Sequence, residues 1–132
     1  MQNSKNTKYS GVTEKFNMEV MTNYNNHIFE VALNYLKNVK KCVDFGAGIG
    51  TLALIFREKF NISPVCIEID EDNIDYLKKR KFEFFRNLKS APTENDLIFS
   101  SNVLEHIKDD QGILKLMKKK LKKNGILFLY LP

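Results

Sequence analysis

The stretch Lys41–Thr51, with the sequence KCVDFGAGIGT, decides the fold that we predict for this chain. A short run of β-forming residues, Lys41–Phe45, passes directly into the glycine cluster Gly46–Gly50, and helical spacing of apolar residues resumes at Thr51. This is the order of a strand, a tight turn and a helix. Glycines in such a turn supply positive φ angles and let the backbone approach a ligand closely. The stretch therefore predicts a strand-to-helix unit with a candidate binding site at its turn.

The rest of the chain continues this alternation of strands and helices. Short apolar runs predict further strands at Val65–Ile69, Phe82–Phe85, Asp96–Ser100 and Ile126–Leu131. Helices are predicted at Thr51–Phe60, from Asp70–Asp72 to Lys78–Lys81, and from Asp109 or Asp110 to a cap at Asn124–Gly125. A longer helix before the first strand is predicted by a stripe of apolar residues, Val20, Tyr24, Ile28, Val31, Tyr35 and Val39. Because the strands are apolar throughout, we predict an α/β domain with a mostly parallel sheet and helices on both faces.

The composition indicates one folded domain. The chain has 132 residues, 43% of them hydrophobic, with only three prolines and six glycines, which argues against a disordered, collagen-like or low-complexity chain. No apolar run reaches the roughly 20 residues of a membrane helix, and the polar segment Met1–Asn6 lacks the apolar core of a signal peptide. We therefore expect a cytoplasmic domain over residues 20–132, preceded by an N-terminal arm over residues 1–19.

The residues that could bind a metal or a nucleic acid do not form the expected patterns. The net charge is +5, but the lysines cluster in Lys78–Lys81 and Lys118–Lys123, at the ends of predicted helices, where cations offset the helix dipole and stay solvated. Cys42 and Cys66 lie within predicted strands, so we expect both to be reduced packing residues. The two histidines are far apart in the sequence. We predict no metal site and consider a nucleic-acid partner the weaker interpretation.

The glycine turn lies where open parallel sheets bind ligands, beyond the carboxyl ends of the strands at the point where the strand order reverses. The helix after the turn offers unpaired N–H groups to an anion such as a carboxylate. The spacing departs from the dinucleotide fingerprint G-x-G-x-x-G, because Thr51 stands in the place of the third glycine. The Gly-Lys-Ser/Thr ending of a phosphate-binding loop is absent. A tight connection without a ligand is the alternative interpretation of the turn.

Two acids favour a ligand at this turn. Asp44 stands at the end of the first strand, and Glu68 stands at the end of the second, about 20 residues after the glycines. An acid in the second place can hold a ribose diol through both of its oxygens. The pair therefore suits a nucleoside that also carries a positively charged amino group.

Four ordered segments look like motifs of one family. They are VDFGAGIGT at Val43–Thr51, VCIEID at Val65–Asp70, DLIFSSNVLEHI at Asp96–Ile107 and NGILFLYLP at Asn124–Pro132. With NYNNHIFEVALNYL, which is similar to the helix before the glycine motif, they resemble class I S-adenosylmethionine-dependent methyltransferases, above all the small-molecule type 11 or type 12 domains with a Leu-Glu-His signature. The resemblance covers residues 24–132. It implies a Rossmann-like three-layer sandwich with sheet order 3-2-1-4-5 and S-adenosylmethionine as cofactor.

The resemblance also implies which residues contact the cofactor. They are Asp44, Gly46, Ala47, Gly48, Gly50, Glu68, Ile69, Asn87, Ser101 and Asn102. Asp44 would reach the amino group of the cofactor, Glu68 would bind the ribose hydroxyls, and Ile69 would pack on adenine. Asn87 would meet the adenine amino group in place of the acid that the family usually has there. The turn residues would line the methionine and ribose, and the two residues that follow the fourth strand would flank the methionine.

No catalytic residue is assigned by these motifs. The sulfonium already makes the methyl carbon electrophilic, so positioning of the acceptor and exclusion of water are expected to supply most of the acceleration. His106, in the Leu-Glu-His signature, has a side chain that could act as a base. We favour packing or hydrogen bonding at the helix start for His106, and a structural role for His27.

The predicted methyl acceptor is a small molecule or a lipid or sugar intermediate. An RNA methyltransferase is the second interpretation, although Ser100–Val103 shows no Asn/Asp-Pro-Pro-Tyr pattern and no nucleophilic cysteine. A catalytically incomplete cofactor-binding module is the third, and Thr51 disfavours a nicotinamide-dependent oxidoreductase. Full domains of this family resemble a seven-stranded sheet, so we expect strands six and seven to be absent. Ile126–Leu131 would then form an exposed apolar edge through which the chain self-associates.

Overall fold

Strands and helices alternate through the part of the chain that the structure, a computed structural model, describes. It describes residues 35–132, which belong to one compact unit, and, outside that unit, His27 and Glu30. The strands are β1 (Cys42–Phe45), β2 (Val65–Ile67), β3 (Phe84–Phe85), β4 (Asn95–Ser101) and β5 (Leu121–Tyr130). The α-helices of residues 35–132 are α1 (Thr51–Phe60), α2 (Glu71–Lys79) and α3 (Asp110–Lys120), with short 3-10 helices at Leu88–Ser90 and Leu104–His106.

The five strands form one parallel sheet in the order β3-β2-β1-β4-β5. β1 lies at the centre, where Val43 is opposite Val65 of β2 on one side and Ile98 of β4 on the other. Parallel neighbours require a crossover connection, which is why a helix follows β1, β2 and β4. The predicted Rossmann-like order 3-2-1-4-5 is confirmed.

Each face of the sheet buries its own apolar cluster, because successive side chains of a strand point to opposite faces. Val43 packs in a cluster with Met117 of α3. Cys66 packs in a second cluster with Ala53 of α1 and Leu77 of α2. Helices therefore cover both faces of the sheet, as the apolar strands predicted.

Local signals set the bounds of α1 and the start of α2 correctly. α1 spans the predicted residues, Thr51–Phe60. At the start of α2, a carboxylate oxygen of Asp70 accepts the N–H groups of Asp72 at 2.9 Å and of Asn73 at 3.1 Å. This is the capping that an acid at a helix start provides, and it confirms the predicted role of the acidic start.

Three strands are shorter than predicted: β1 by one residue, since it begins at Cys42, and β2 and β3 by two residues each. β2 ends at Ile67, so Glu68 and Ile69 lie in the loop beyond its carboxyl end. β3 begins at Phe84 rather than Phe82, because the N–H of Phe82 donates to the carbonyl of Leu77 in α2 at 3.0 Å. The backbone of Phe82 is therefore bonded to a helix instead of a neighbouring strand.

The predicted end of the third helix was wrong. α3 ends at Lys120, well before the expected cap at Asn124–Gly125. Leu121 is already extended, with ψ of 145°, and it lies opposite Asn95 of β4. Asn124 does take the left-handed conformation, with φ of 68°, but it does so inside β5, where the register with β4 is irregular. Pairing with β4 ended the helix, which local signals do not reveal.

Lys120 is buried, which corrects the prediction that all of Lys118–Lys123 stays solvated. It is 8% exposed. Its Nζ donates to the carbonyl oxygens of Lys89 at 2.7 Å and of Ala91 at 2.6 Å. Because both acceptors belong to a distant segment, a run of lysines in the sequence cannot show which member turns inward.

The predicted first helix and the predicted N-terminal arm lie largely outside the described residues. His27 and Glu30 are helical and exposed. The apolar stripe was continued too far, because the segment between Leu36 and Val39 is a turn rather than helix. Leu36 and Val39 are nevertheless buried, at 5% and 7% exposure. Their apolar side chains therefore belong to the core, although the segment between them is not helical.

β5 is an edge strand within the described part of the chain, where it pairs with β4 alone. Its residues 125–130 are half-buried rather than fully exposed. Self-association through this strand stays a prediction. In residues 35–132, together with His27 and Glu30, no helix is long and apolar enough to cross a membrane.

Asp96 forms an ion pair and two backbone hydrogen bonds at the amino end of the central strands. Its carboxylate pairs with Lys122 at 2.6 Å and accepts the N–H groups of Lys40 at 2.9 Å and Lys41 at 2.8 Å. The hydrogen bonds from Lys122 and Lys41 lower the pKa of Asp96 to about 2. In the unfolded chain the group titrates near its ordinary pKa of about 3.9. Ionised Asp96 therefore stabilises the fold above about pH 4, and this contribution is lost as the pH falls through about 2.

We expect Asp96→Asn to lower the free energy of unfolding at neutral pH by about 1–2 kcal/mol, because the charge-assisted bonds are weakened. The loss should shrink as the pH falls through about 2, where the parent carboxyl becomes protonated too. Urea unfolding of both proteins across this range measures it. Glu94→Gln, at an exposed neighbouring acid, serves as the control. A loss that stays constant with pH would contradict the assignment.

Candidate functional site

The turn Gly46–Gly50 carries the backbone from β1 into α1 at the carboxyl edge of the sheet. Gly50 has φ of 90°, and a Cβ added there would lie 3.0 Å from Cδ2 of Leu77 in α2. A side chain at this position would be strained by the positive φ and would crowd Leu77, so glycine favours the close packing of α1 against α2. Gly48 has φ of 60°, and a Cβ there would meet no atom within 4 Å. The turn is thus tightly packed on one side and open to an approaching group at Gly48.

Protein acceptors hold most N–H groups of the turn. Gly46 and Ala47 donate to the carbonyl of Ile67, at 2.9 and 3.0 Å. Gly48 donates to Oε1 of Glu68 at 2.7 Å. The first turn of α1 is different, because no side chain caps its N-terminus. A helix start leaves backbone N–H groups without intrahelical partners, so an anion would bind at the start of α1 rather than at the glycines.

Asp44 is a buried acid next to the turn. It is 2% exposed, and its Oδ2 has no hydrogen-bond partner among the described residues. Burial, with a smaller contribution from the negative charge of Glu68, raises the pKa of Asp44 to about 8. An unpartnered buried carboxylate oxygen is costly. A bound cationic group would satisfy this oxygen and favour its ionised form.

Glu68 joins the turn to the start of α2. Besides the bond from Gly48, its Oε2 accepts the N–H of Asp70 at 3.0 Å and Nδ2 of Asn73 at 3.4 Å. A carboxylate has about four acceptor positions. The contacts with the turn and with Asn73 were not foreseen, because nothing local in the sequence indicates which groups meet past the end of β2.

A cavity of about 430 Å³ opens beside the turn, at the carboxyl ends of β1 and β2 and next to the loop after β4. It brings together six residues singled out from the sequence: Gly46, Glu68, Ile69, Asn87, Asn102 and His106. Most of its other lining residues are apolar: Phe45, Ile67, Leu88, Val103, Ile107 and Ile113. Five other predicted residues do not line it: Asp44, Ala47, Gly48, Gly50 and Ser101. An apolar pocket with a few polar groups at its margin suits a flat, partly polar ligand.

Two residues at this cavity differ in how freely they can meet a ligand. Ile69 is 75% exposed, so an apolar surface is available for an adenine ring. Asn87 is already hydrogen-bonded, because its Oδ1 accepts two bonds from Ser90. The backbone N–H and the hydroxyl of Ser90 each donate to it at 3.0 Å. That oxygen caps the 3-10 helix Leu88–Ser90. The contact of Asn87 with an adenine amino group stays a prediction.

The end of β4 places the remaining predicted residues. Asn102 is left-handed, with φ of 58°, and its N–H donates to the carbonyl of Tyr130 at 2.8 Å. Its Nδ2 lies 3.4 Å from Oγ of Ser101. The side chain of His106 is 77% exposed, with Nε2 3.6 Å from Oε2 of Glu105. The ring of His106 thus lies at the margin of the cavity rather than in the core, and its favoured role in packing or hydrogen bonding at the helix start stays a prediction.

Sequence reasoning missed Arg86, which lines the cavity beside Asn87. Its guanidinium forms a two-point pair with Glu71 in the first turn of α2, at 2.9 and 3.1 Å. The hydrogen bond between them lowers the pKa of Glu71 and raises the pKa of Arg86. No motif surrounds Arg86, and Glu71 was read only as part of the acidic helix start, so the pair carried no signal in the sequence.

The described residues hold no group of three or more His, Cys, Asp or Glu side chains that could bind a metal ion. Cys42 and Cys66 are both free and buried, as expected for packing residues. Burial raises the pKa of both thiols above their ordinary range. They are therefore protonated at neutral pH and poor nucleophiles.

The raised pKa of Asp44 predicts a distinctive pH dependence of stability. The unfolded chain loses this proton near pH 4, whereas the folded protein retains it until about pH 8. The free energy of unfolding should fall with rising pH between these values, by at most about 1.4 kcal/mol per pH unit. We expect Asp44→Asn to remove this fall. Urea unfolding of both proteins at about pH 5 and about pH 8 measures it. Parallel pH profiles would contradict the assignment.

Comparison with known proteins gives one family and one fold. A family model described as a methyltransferase domain matches residues 19–132. A comparison with curated proteins gave no match. Among solved structures, a SAM-dependent methyltransferase from Archaeoglobus fulgidus has a TM-score of 0.61 at 24% identity, covering 87% of this chain and 51% of that chain.

Two further structures are similar in fold. Coclaurine N-methyltransferase bound to N-methylheliamine and SAH has a TM-score of 0.71 at 20% identity, covering 84% of this chain and 35% of that chain. An N-methyltransferase from Haemonchus contortus, bound to phosphomonomethylethanolamine and S-adenosylhomocysteine, has a TM-score of 0.66 at 19% identity, covering 79% of this chain and 27% of that chain. This chain thus spans about half or less of the length of these proteins.

The family match extends over most of the chain, including every element of the sheet. The structural likenesses are to methyltransferases with the same fold. The resemblance seen in the four motifs is confirmed, through a family model of type 23 rather than of types 11 or 12. The chain belongs to the S-adenosylmethionine-dependent methyltransferase domain family.

Proposed function

We propose that this chain forms the cofactor-binding part of a methyltransferase that transfers a methyl group to a small molecule or to a lipid or sugar intermediate. The observation that carries the proposal is Oδ2 of Asp44, a buried carboxylate oxygen without a partner among the described residues. It lies beside the glycine turn at the carboxyl edge of a parallel sheet, where such folds bind nucleotides. The amino group of S-adenosylmethionine is a cation that would satisfy it.

The other groups of the site match the remaining parts of this cofactor. The uncapped start of α1 suits the carboxylate of its amino-acid half, and the turn Gly46–Gly50 lets the backbone approach that half. Glu68 would accept the ribose hydroxyls, and Ile69 offers an apolar surface to adenine beside the cavity. When bound, the cofactor supplies a methyl group made electrophilic by a sulfonium sulfur.

Glu68 must exchange a partner to bind a ribose diol. Its carboxylate already accepts three hydrogen bonds, from Gly48, Asp70 and Asn73. Two hydroxyls would raise the number to five, which exceeds the about four acceptor positions of a carboxylate. The bond from Asn73 is the longest of the three, at 3.4 Å, so Asn73 is the group we expect to be released.

The remaining task of the protein is to place the acceptor and exclude water, and we assign no catalytic residue. Ser101, the last residue of β4, and Asn102, the residue after it, would flank the methionine part. A small acceptor is supported by two structural neighbours whose bound partners are small molecules. The buried, protonated state of Cys42 and Cys66 disfavours carbon methylation of a nucleic-acid base, which requires a thiolate.

Glu68 tests the proposal through cofactor affinity. Hydrogen bonds to a charged group contribute roughly 1.5–3 kcal/mol, so Glu68→Ala should weaken S-adenosylhomocysteine binding by about 10- to 150-fold. Glu68→Gln keeps the size of the side chain and should also weaken it. Asp75→Ala is the control, because Asp75 is an exposed acid of α2, whereas Glu71 is paired with a residue of the cavity.

Calorimetric titration gives the affinities, and circular dichroism confirms that each variant is folded. Equal affinities in the parent and in both Glu68 variants would refute the assignment of Glu68. A parent chain that binds neither S-adenosylmethionine nor S-adenosylhomocysteine would refute the proposed function. Binding without turnover of any acceptor would instead favour a cofactor-binding module.

His106 tests whether a general base is needed. Because the ring is exposed and methyl transfer depends mainly on positioning, we expect His106→Gln to retain at least about a tenth of the turnover. Turnover is measured as S-adenosylhomocysteine released with a panel of small amine and hydroxyl acceptors. A drop of about 10²–10⁴-fold at unchanged cofactor affinity would identify His106 as the base. Lys108→Gln, at an exposed neighbour, is the control.

A further inference from the structure

Arg80 reaches from the end of α2 to the backbone of the glycine turn. It is the residue directly after α2, and it is half-buried. Its Nη1 donates a hydrogen bond to the carbonyl oxygen of Ile49 at 2.7 Å. A charged donor on a partly buried carbonyl forms one of the stronger hydrogen bonds in proteins. The side chain therefore holds the turn at its last peptide before α1.

The peptide between Ile49 and Gly50 is a point at which the turn can rotate. Gly50 has φ of 90°, and glycine adopts positive and negative φ about equally, so little steric resistance opposes rotation there. Two hydrogen bonds oppose it instead. The N–H of Gly50 donates to the carbonyl of Ala47 at 3.0 Å, and Arg80 holds the carbonyl oxygen of Ile49.

The same contact shapes the electrostatics at the start of α1. A helix N-terminus carries a partial positive charge that attracts anions. The guanidinium of Arg80 adds a full positive charge near that terminus, since it is bonded to the peptide that precedes the helix. It also offsets the partial negative charge of the Ile49 carbonyl. Both effects favour an anion at the uncapped start of α1.

Arg80 is itself held in place by α1. Nη1 of Arg57 donates to the carbonyl of Arg80 at 2.6 Å, and Nη2 donates to the carbonyl of Lys81 at 3.1 Å. The guanidinium of Arg57 lies over the ring of Phe82, 3.7 Å from its centroid. The end of α2 is therefore fixed against α1, and the side chain of Arg80 starts from a fixed backbone position.

We propose that Arg80 is a positioning residue of the cofactor site, an inference that rests on the proposed function. By holding the carbonyl oxygen of Ile49 and adding positive charge, it prepares the start of α1 for the carboxylate of the cofactor's amino-acid half. The nucleoside half is served by Glu68 and by the cavity, which Arg80 does not line. The effect of Arg80 is therefore confined to one half of the ligand.

Two ligands distinguish an effect on the amino-acid half of the cofactor from an effect on its nucleoside half. S-adenosylhomocysteine carries the amino-acid part, and 5′-methylthioadenosine lacks it. In calorimetric titrations of the full chain, Arg80→Met should weaken S-adenosylhomocysteine roughly 5- to 30-fold. The affinity for 5′-methylthioadenosine, measured by competition where it is weak, should stay within about twofold. Arg80→Lys keeps the charge and should recover part of the loss. Lys79→Met, which removes a neighbouring exposed cation, should leave both affinities unchanged.

Each other result overturns the inference. Equal weakening of both ligands in Arg80→Met would mean a general loosening of the site, and no weakening of S-adenosylhomocysteine would leave Arg80 without a role. An equal loss in Lys79→Met would assign the effect to net charge. If Arg80→Met does not fold by circular dichroism, Arg80→Gln replaces it in the same comparison. A parent protein that binds neither ligand would refute the proposed function itself. A parent that binds S-adenosylhomocysteine, with the same affinity in Arg80→Met, would refute only the role of Arg80.

Discussion

The carbonyl oxygen of Ile67 accepts the N–H groups of both Gly46 and Ala47, and these two bonds hold the glycine turn across the ends of β1 and β2. Because the turn is fixed at this point, Gly48 meets the carboxylate of Glu68 at 2.7 Å. The same path brings Gly50 against α2, where a side chain would be strained by the positive φ and would crowd Leu77. The position of the site therefore depends on the backbone hydrogen bonds from Gly46 and Ala47 to Ile67, which join the glycine turn to the end of β2.

Both acidic and basic side chains lie near the glycine turn. Asp44 and Glu68 are both acids, and their proximity adds to the burial that keeps Asp44 protonated at neutral pH. Arg80, at the end of α2, is bonded to the carbonyl of Ile49. A zwitterionic ligand would bring a cation to the acids and an anion toward the positive end of α1. The site is thus electrostatically suited to an amino acid attached to a nucleoside.

Long polar side chains also secure the connections that lie away from the site. Lys120 is buried and bonds two carbonyl oxygens of the segment after β3. Arg57 does the same for the end of α2. In both cases a long charged side chain donates to carbonyl oxygens at the end of a helix or 3-10 helix, where the last carbonyls lack intrahelical partners. Part of the basic character of this chain therefore serves its fold.

The sequence by itself determined the alternation of strands and helices, the bounds of α1, the cap of α2 at Asp70 and the glycine turn, because each depends on residues close together in the chain. It also indicated the family, since the motifs are local. Only the tertiary structure decided the end of α3, where pairing of Leu121 with β4 replaced the expected cap. It alone placed Lys120 inside and joined Arg80 to Ile49. These outcomes depend on acceptors and strands supplied by distant segments, and no local pattern specifies which distant group will be within hydrogen-bonding distance.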